Sequence, residues 1–315
     1  MEGPELSVVS VPDQHLAQEV NDLLERVARS TGHAAVGEPK RTALTHAVDG
    51  SPPGTGHARF VTAVVARAGG RVLGYAPVIG DAHTQQYATE VVVDPAAADA
   101  PAMTDALVDA AVGLVTGLGG GSLRLWVARA TPGDDQRAVA RGFDVERDLI
   151  QMRCVLPVPD GRRRPGPGVR TRPFRPGLDE EGWLAANNRA FAAHPEQGHW
   201  DMATLVEREK EAWFDPEGLL ILEEGGQVAG SCWTKIHTDT DPAMGEIYVI
   251  GVDPQFHGRG WGRALTQAGL DWLAHRGLTV GMLYVDADNV AAVSMYRSMG
   301  FVDDHVDRAY VRRLD

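Results

Sequence analysis

The chain has 315 residues, a formal net charge of −13 and only two cysteines. That length allows two ordinary domains, and the acidic balance excludes a general nucleic-acid binder, which needs a basic face for a long phosphate backbone. Cys154 and Cys232 have neither paired spacing nor a nearby histidine cluster, so no disulfide framework and no metal site is expected. No run of about eighteen apolar residues occurs and residues 1–32 lack a charged-then-apolar leader layout, so membrane and export signals are not read and a cytoplasmic location is the expectation.

Taken in chain order, the first half predicts a strand, helices, a meander of strands, a helix, a strand and a last helix. The second half predicts the same series. Gly69-Gly70-Arg71-Val72-Leu73-Gly74 parallels Gly225-Gly226-Gln227-Val228-Ala229-Gly230, an offset of 156. Asp94-Pro95 parallels Asp253-Pro254 at 159, and Gly142-Phe143 parallels Gly300-Phe301 at 158. Near-constant offsets mean two copies of one unit. Strands mixed with helices in each copy give an α/β class with a mixed sheet. Six prolines and Arg162-Arg163-Arg164 fall between Pro157 and Pro176. That composition reads as a linker, so the expected division is 1–158, a linker at 159–167, and 168–315.

In the second half an apolar strand ending at Val252 leads through Asp253-Pro254 into His257-Gly258-Arg259-Gly260-Trp261-Gly262, then a helical pattern from Arg263 to Arg276. Glycines admit close backbone approach, and the first N–H groups of a helix have no partner of their own, so this order suits an anion such as pyrophosphate. The ending lacks the Gly-Lys-Ser/Thr of a triphosphate loop, and no acidic residue about twenty positions on marks a dinucleotide fold. In the first half the corresponding positions are Ala98, Pro101 and Met103. Proline offers no N–H, so that loop is read as erased.

Farther on, Asn289, Ala292, Tyr296, Gly300 and Phe301 stand in the register Asn-x-x-Ala-x-x-x-Tyr-x-x-x-Gly-Phe. With Gly260 and Gly262 they resemble the GNAT superfamily of acyl-CoA-dependent N-acyltransferases, whose loop reads Arg/Gln-x-x-Gly-x-Gly/Ala. His257 stands where Arg or Gln is usual. The register Gln255-x-x-Gly258-x-Gly260 also fits but puts the loop a turn early, so the first is preferred. The resemblance implies two tandem domains, each a mixed, centrally splayed sheet flanked by helices, the first degenerate. It also implies acetyl-CoA as co-substrate, held by Ile250, Gly251, Val252, by His257, Gly258, Arg259, Gly260, Trp261, Gly262, Arg263, and by Asn289, Val290, Ala291, Ala292, Val293 and Ser294.

Acyl transfer to an amine needs a base for the ammonium proton and an acid for the departing thiolate. Glu246 heads the strand that leads into the loop, a place where GNAT enzymes often use a carboxylate through a water. On position alone, a solvated glutamate at a strand end is an equal reading. Gly251 interrupts β-branched residues, as a bulge or close approach would. Tyr296 lies two helical turns after Asn289 with Ala292 between them, so one face carries all three. The resemblance gives its phenol the acid role.

Residues 187–200, 211–216, 233–237 and 245–254 further resemble the mycothiol synthase family of tandem GNAT proteins. That resemblance implies the acceptor Cys-GlcN-Ins, with Glu38, Glu196, Lys235, Glu246 and Tyr284 as acceptor contacts. His194 and His199 read equally well as loop histidines without a chemical role. One acetyl-CoA per chain, a monomer, and no nucleic-acid or membrane partner are expected. Transfer to another small amine or a peptide N-terminus, and a non-catalytic acyl-CoA sensor, are the rival readings.

Overall fold

The computed structural model describes residues 4–33, 35–50, 59–81, 83–159, 169–192, 198, 200–238 and 240–315, without the side chains of Glu38 and Pro39. Alternating apolar strands and amphipathic helices divide them into two compact units.

The first unit begins with β1 (Glu5–Val9), α1 (Gln14–Thr31) and α2 (Glu38–Asp49). It continues through β2 (Arg59–Ala68), β3 (Arg71–Asp81), β4 (Gln86–Glu90), β5 (Val92–Val93), α3 (Ala100–Gly117), β6 (Gly121–Val127) and α4 (Pro132–Ala140). A strand that follows α4, β7 (Asp144–Val155), leaves this unit after Asp148. In α1 the residues at helical spacing, Leu16, Val20, Leu23, Leu24 and Val27, are the buried ones, so one stripe faces the sheet. Asp13 caps its start by accepting from Leu16 N at 2.8 Å, and Gly32 ends it with φ +76°, a left-handed conformation that favours glycine. β4 and β6 pair in parallel up to Glu90–Trp126. Asp99 caps α3, its carboxylate accepting from Ala102 N at 3.2 Å, and Pro101 lies in the first turn.

The second unit carries β8 (Val169–Pro173), α5 (Glu180–Ala190), α6 (Met202–Arg208), β9 (Leu219–Glu224), β10 (Gln227–His237) and β11 (Met244–Val252). After these come α7 (Trp261–His275), β12 (Val280–Asp286), α8 (Val290–Ser298) and β13 (Val302–Leu314). Its strand order is β7-β12-β11-β10-β9-β8. One sheet face lies under α7, so tightly that a Cβ on Gly269 would meet Cys232 Sγ at 2.6 Å and Ile247 Cδ1 at 2.7 Å. The other packs Trp183 of α5 with Trp200 and Trp233, rings 5.6–6.4 Å apart. Trp183 and Trp233 are fully buried, and truncating either costs about 3–5 kcal/mol. Arg172 holds Asp179 bidentately at 2.6 and 2.9 Å and also bonds Glu223.

The units do not follow chain order at their last strands. Leu149–Val155 of β7 pairs antiparallel with Asp286–Val280 of β12, inside the second unit. Arg308–Leu314 of β13 pairs antiparallel with Val127–Gly121 of β6, inside the first. The sequence reading ended each copy on a helix. A strand follows each one instead, because an open sheet edge next to β6 or β12 would leave backbone groups unpaired. Residues 160–168, which hold Arg162 to Arg164 and almost all of the expected linker, lie outside the described residues. Among the described residues no helix is long and apolar enough to cross a membrane.

Candidate active site

The site develops from the course of β11. β11 and β12 run parallel and pair from Met244–Val280 to Ile247–Leu283, where the ladder stops although both strands continue, to Val252 and Asp286. The sheet therefore splays between them. On its other side β11 stays paired to β10 as far as Val252–Gly230, with one bulge, at Tyr248, which has no counterpart between Trp233 and Thr234. A bulge adds twist and re-aims the strand. Gly251 itself pairs regularly with Ser231, so the bulge is not at the glycine. The glycine serves the other purpose expected of it, close approach: a Cβ there would meet Phe191 Cε2 at 2.8 Å and Ala190 Cβ at 3.1 Å. Ile250, Gly251 and Val252 are half-buried along the splayed stretch.

Past Val252, Asp253 is buried and fixes the turn. It accepts from Gln255 N at 3.0 Å and pairs with Arg189 at 2.6 Å. Gly258 and Gly260 both have left-handed φ, +75° and +83°, and Gly260 is the N-cap of α7 with no side-chain hydrogen bond across the helix start. Ala264 is the first to bond back, to Gly260 O at 3.2 Å. The N–H groups of Trp261, Gly262 and Arg263 therefore head the helix as donors, with the positive end of its dipole behind them. A Cβ on Gly262 would find nothing nearer than Met295 Sδ at 3.9 Å, so the space there is open.

The cationic side chains expected around this loop have partners of their own. Arg259 pairs with Glu224 at 2.6 Å, whose other oxygen accepts from Trp261 Nε1 at 2.8 Å. Arg263 donates to Ser298 Oγ at 2.6 Å, and His257 Nε2 lies 2.9 Å from Val252 O. Of the three, Arg259 is the one paired with a carboxylate; Arg263 and His257 meet neutral oxygens.

α8 is capped by Asn289, whose Oδ1 accepts from Ala292 N at 3.2 Å. The expectation of Asn289, Ala292 and Tyr296 on one helical face is thus modified: Asn289 is turned over the helix start, leaving its amide nitrogen as the free arm. Val290, Val293 and Ser294 line a groove beside α8 with Ile150, Ala287 and Arg297. Ala291 is exposed and Ala292 half-buried. Tyr296 is buried against Phe301, rings 5.7 Å apart, and its hydroxyl makes no hydrogen bond among the described residues. Burial, and then the Cys232 thiol, push its ionisation far above the ordinary tyrosine range. It approaches from the α7 face.

The opposite face carries the other predicted residues. Lys235 on β10 stands directly across from Glu246 on β11, which stands across from Met282 on β12, which stands across from Arg153 on β7. Tyr284 and Gln151 form the next pair, Gln151 Nε2 donating to the phenolic oxygen at 2.7 Å. Directly paired residues share a face, so Lys235, Glu246, Tyr284, Gln151 and Arg153 lie on one side of the sheet. Glu246 is 7% exposed, and Oε2 lies 2.7 Å from His237 Nε2. Lys235 holds its ammonium over Trp213 at 4.3 Å and Tyr248 at 5.2 Å. Arg153 donates to Gln151 Oε1 at 2.8 Å and pairs with Asp304 at 3.2 Å.

Among these, sequence reasoning missed His237, Gln151 and Arg153. The alternation Lys235-x-His237 signals the first; nothing local signals the other two, which come from the first half of the chain. Glu38 opens α2, but its side chain lies outside the described residues. Glu196, His194 and His199 lie outside them entirely. Cys154 and Cys232 are both buried, and burial pushes both thiols up to about 12. Among the described residues no group of three or more His, Cys, Asp or Glu is placed to hold a metal ion.

Residues 183–301 match the acetyltransferase (GNAT) family model. The mycothiol acetyltransferase of Streptomyces griseus subsp. griseus is 37% identical over 313 residues, covering 98% of this chain and 95% of that one. The mycothiol acetyltransferase of Kocuria rhizophila is 38% identical over 284 residues, 84% of this chain and 92% of that one. Two solved structures share the fold. A tandem GNAT protein from the clavulanic acid biosynthesis pathway superposes with a TM-score of 0.72 at 18% identity, covering 98% of both chains. A GCN5-related N-acetyltransferase from Sphaerobacter thermophilus gives 0.70 at 20% identity, covering 98% of this chain and 95% of that one.

Proposed function

Because the chain belongs to the mycothiol acetyltransferase family, we propose that it moves the acetyl group of acetyl-CoA to the cysteinyl amine of Cys-GlcN-Ins, with the chemistry in the second unit. The observation that carries this reading is a splayed strand leading into an uncapped helix start, with one buried carboxylate beside the splay.

The chain's own groups fit acetyl-CoA. The N–H groups of Trp261, Gly262 and Arg263 suit the pyrophosphate, and the open space over Gly262 lets it come close. The splayed stretch Ile250–Val252 suits the pantetheine and acyl carbonyl, and the groove along Val290, Val293 and Ser294, with Asn289 at its head, suits the rest of the arm. Bound there, acetyl-CoA supplies the thioester.

The acceptor's ammonium must lose a proton before it can attack. Glu246 is the ionisable group beside the splay and acts as the base, through a water or directly. Tyr296 is the acid: its buried phenol keeps its proton at neutral pH and can give it to the departing thiolate. A polyhydroxylated acceptor requires donors and acceptors that stay paired, which Lys235, Tyr284 and Glu246 offer from one face, with Glu196 and Glu38 as further contacts. The first unit is non-catalytic in this reading, since Asp99 and Pro101 close the helix start that would hold a second pyrophosphate.

Release of CoA thiol by the purified protein tests the reading. Rapid release is expected with Cys-GlcN-Ins and not with glucosamine or free cysteine. Equal release with unrelated amines would favour a broader N-acetyltransferase; tight acetyl-CoA binding with no release would favour the sensor.

A further inference from the structure

His237 is the last residue of β10, and its Nε2 stands 2.7 Å from Oε2 of Glu246. The carboxylate is about one-tenth exposed and the imidazole about one-quarter, so the ring borders solvent while its partner does not. Along β11 the order is fixed by the ladder: His237 faces Met244, two residues before Glu246, and the splay begins after Ile247. Glu246 therefore stands between the imidazole and the splayed stretch.

A carboxylate has two oxygens and a soft terminal torsion, and burial alone does not choose which oxygen faces the substrate. A proton must lie between Oε2 and Nε2 at this distance, since two lone pairs would repel. With the imidazole as donor, Oε2 is occupied and Oε1 remains to receive the acceptor's proton.

Resting on the assignment of Glu246 as the base, we infer that His237 is the positioning residue of that base: its Nε2–H fixes the Glu246 carboxylate and leaves Oε1 for the acceptor's proton. On the flanking strands the same face presents Lys235 on β10, Tyr284 on β12 and Arg153 on β7. Lys235 is the cation directly opposite Glu246, but its ammonium is drawn over the rings of Trp213 and Tyr248. Arg153 is engaged by Asp304 and Gln151, and the Tyr284 hydroxyl by Gln151. Among the described residues the imidazole is the group with a direct contact to the carboxylate.

The test uses the full chain with acetyl-CoA and Cys-GlcN-Ins, following kcat and KM for His237→Ala, His237→Gln, Glu246→Gln and the Ala/Gln double variant. His237→Ala should lower kcat by about tenfold or more, within the range of an acid–base contribution. The KM for acetyl-CoA should be unchanged, and added imidazole should restore rate. The amide of His237→Gln should recover much of the rate. On the Glu246→Gln background the alanine change should cost nothing further, because it acts through the missing group. Wild-type kcat in His237→Ala, or losses that multiply in the double variant while Glu246→Gln is itself impaired, would overturn the inference and leave the base standing. A fully active Glu246→Gln would remove the base assignment and the inference with it.

Discussion

Gly260 and Asp99 occupy the same place, the N-cap of the helix that follows an Asp-Pro turn, and differ in what they put over the helix start. Asp99 lays its carboxylate on Ala102 N at 3.2 Å; Gly260 lays nothing. A helix start is filled either by its own cap or by a bound anion, so Gly260→Asp should convert the second unit's loop toward the first unit's state. Calorimetric titration should then show acetyl-CoA bound at least about tenfold more weakly, a change of about 1.4 kcal/mol, and Tm should fall modestly because Gly260 has a left-handed φ of +83° that disfavours a side chain. Unchanged affinity would mean that the pyrophosphate sits elsewhere.

Tyr296 offers a pH test. Burial and then the Cys232 thiol raise its ionisation far above the ordinary range, so the phenol keeps its proton through every pH at which the enzyme can be assayed. The kcat profile should show no alkaline limb from this group, and Tyr296→Phe should lower kcat by about 10²-fold while leaving acetyl-CoA affinity as it was. A phenylalanine variant with wild-type kcat would exclude the acid role.

The crossed last strands predict how the chain can be cut. Ala309 and Tyr310 of β13 are fully buried in the first unit, and the Tyr310 hydroxyl donates to Asp135 at 2.7 Å. A fragment of residues 1–158 lacks them and keeps an unpaired β6 edge, so it should aggregate and show no cooperative thermal transition. A monomeric, cooperatively unfolding fragment would contradict the strand arrangement.

That arrangement also marks where reading the sequence stops. The glycine loop and the helix running to Gly300-Phe301 were legible as local strings whose spacing sets their geometry, except that Asn289 turns over the helix start; Glu246 was singled out by its place at the head of a strand and by the family resemblance. The α/β class was legible from periodicity, and the family from the C-terminal stretches. The destination of β7 and β13 was not, because a strand's alternation says that one face is buried but not which edge it joins. Gln151 and Arg153 were missed for that reason. The paired state of Arg259 and Arg263 was hidden because it depends on Glu224 and Ser298, each more than thirty positions away in sequence. Gly251 was legible as a special position but not as which kind.

Stability should depend on Asp179. Burial alone would raise its carboxyl, but hydrogen bonds from Arg172 and Arg175 outweigh that and hold it far below the ordinary carboxylate range. A depressed folded-state value means the stabilisation is complete above the unfolded range, near pH 4, and fades as pH falls toward the folded value. Asp179→Asn should therefore cost about 3–5 kcal/mol at pH 7 by leaving Arg172 partly unpaired, and the gap from wild type should narrow at pH 3. Denaturant unfolding at the two pH values checks this; an equal gap at both would show that the carboxylate's charge is not what stabilises.

Turnover of Cys-GlcN-Ins by wild type and Glu246→Gln, with acetyl-CoA affinity measured alongside, decides whether the second unit acetylates the cysteinyl amine with Glu246 as base. N-acetylated product is expected from wild type, with about 10²–10⁴-fold slower turnover in the variant and the same acetyl-CoA affinity in both. Undiminished turnover in Glu246→Gln, or a wild-type protein that binds acetyl-CoA and leaves Cys-GlcN-Ins untouched, would contradict it.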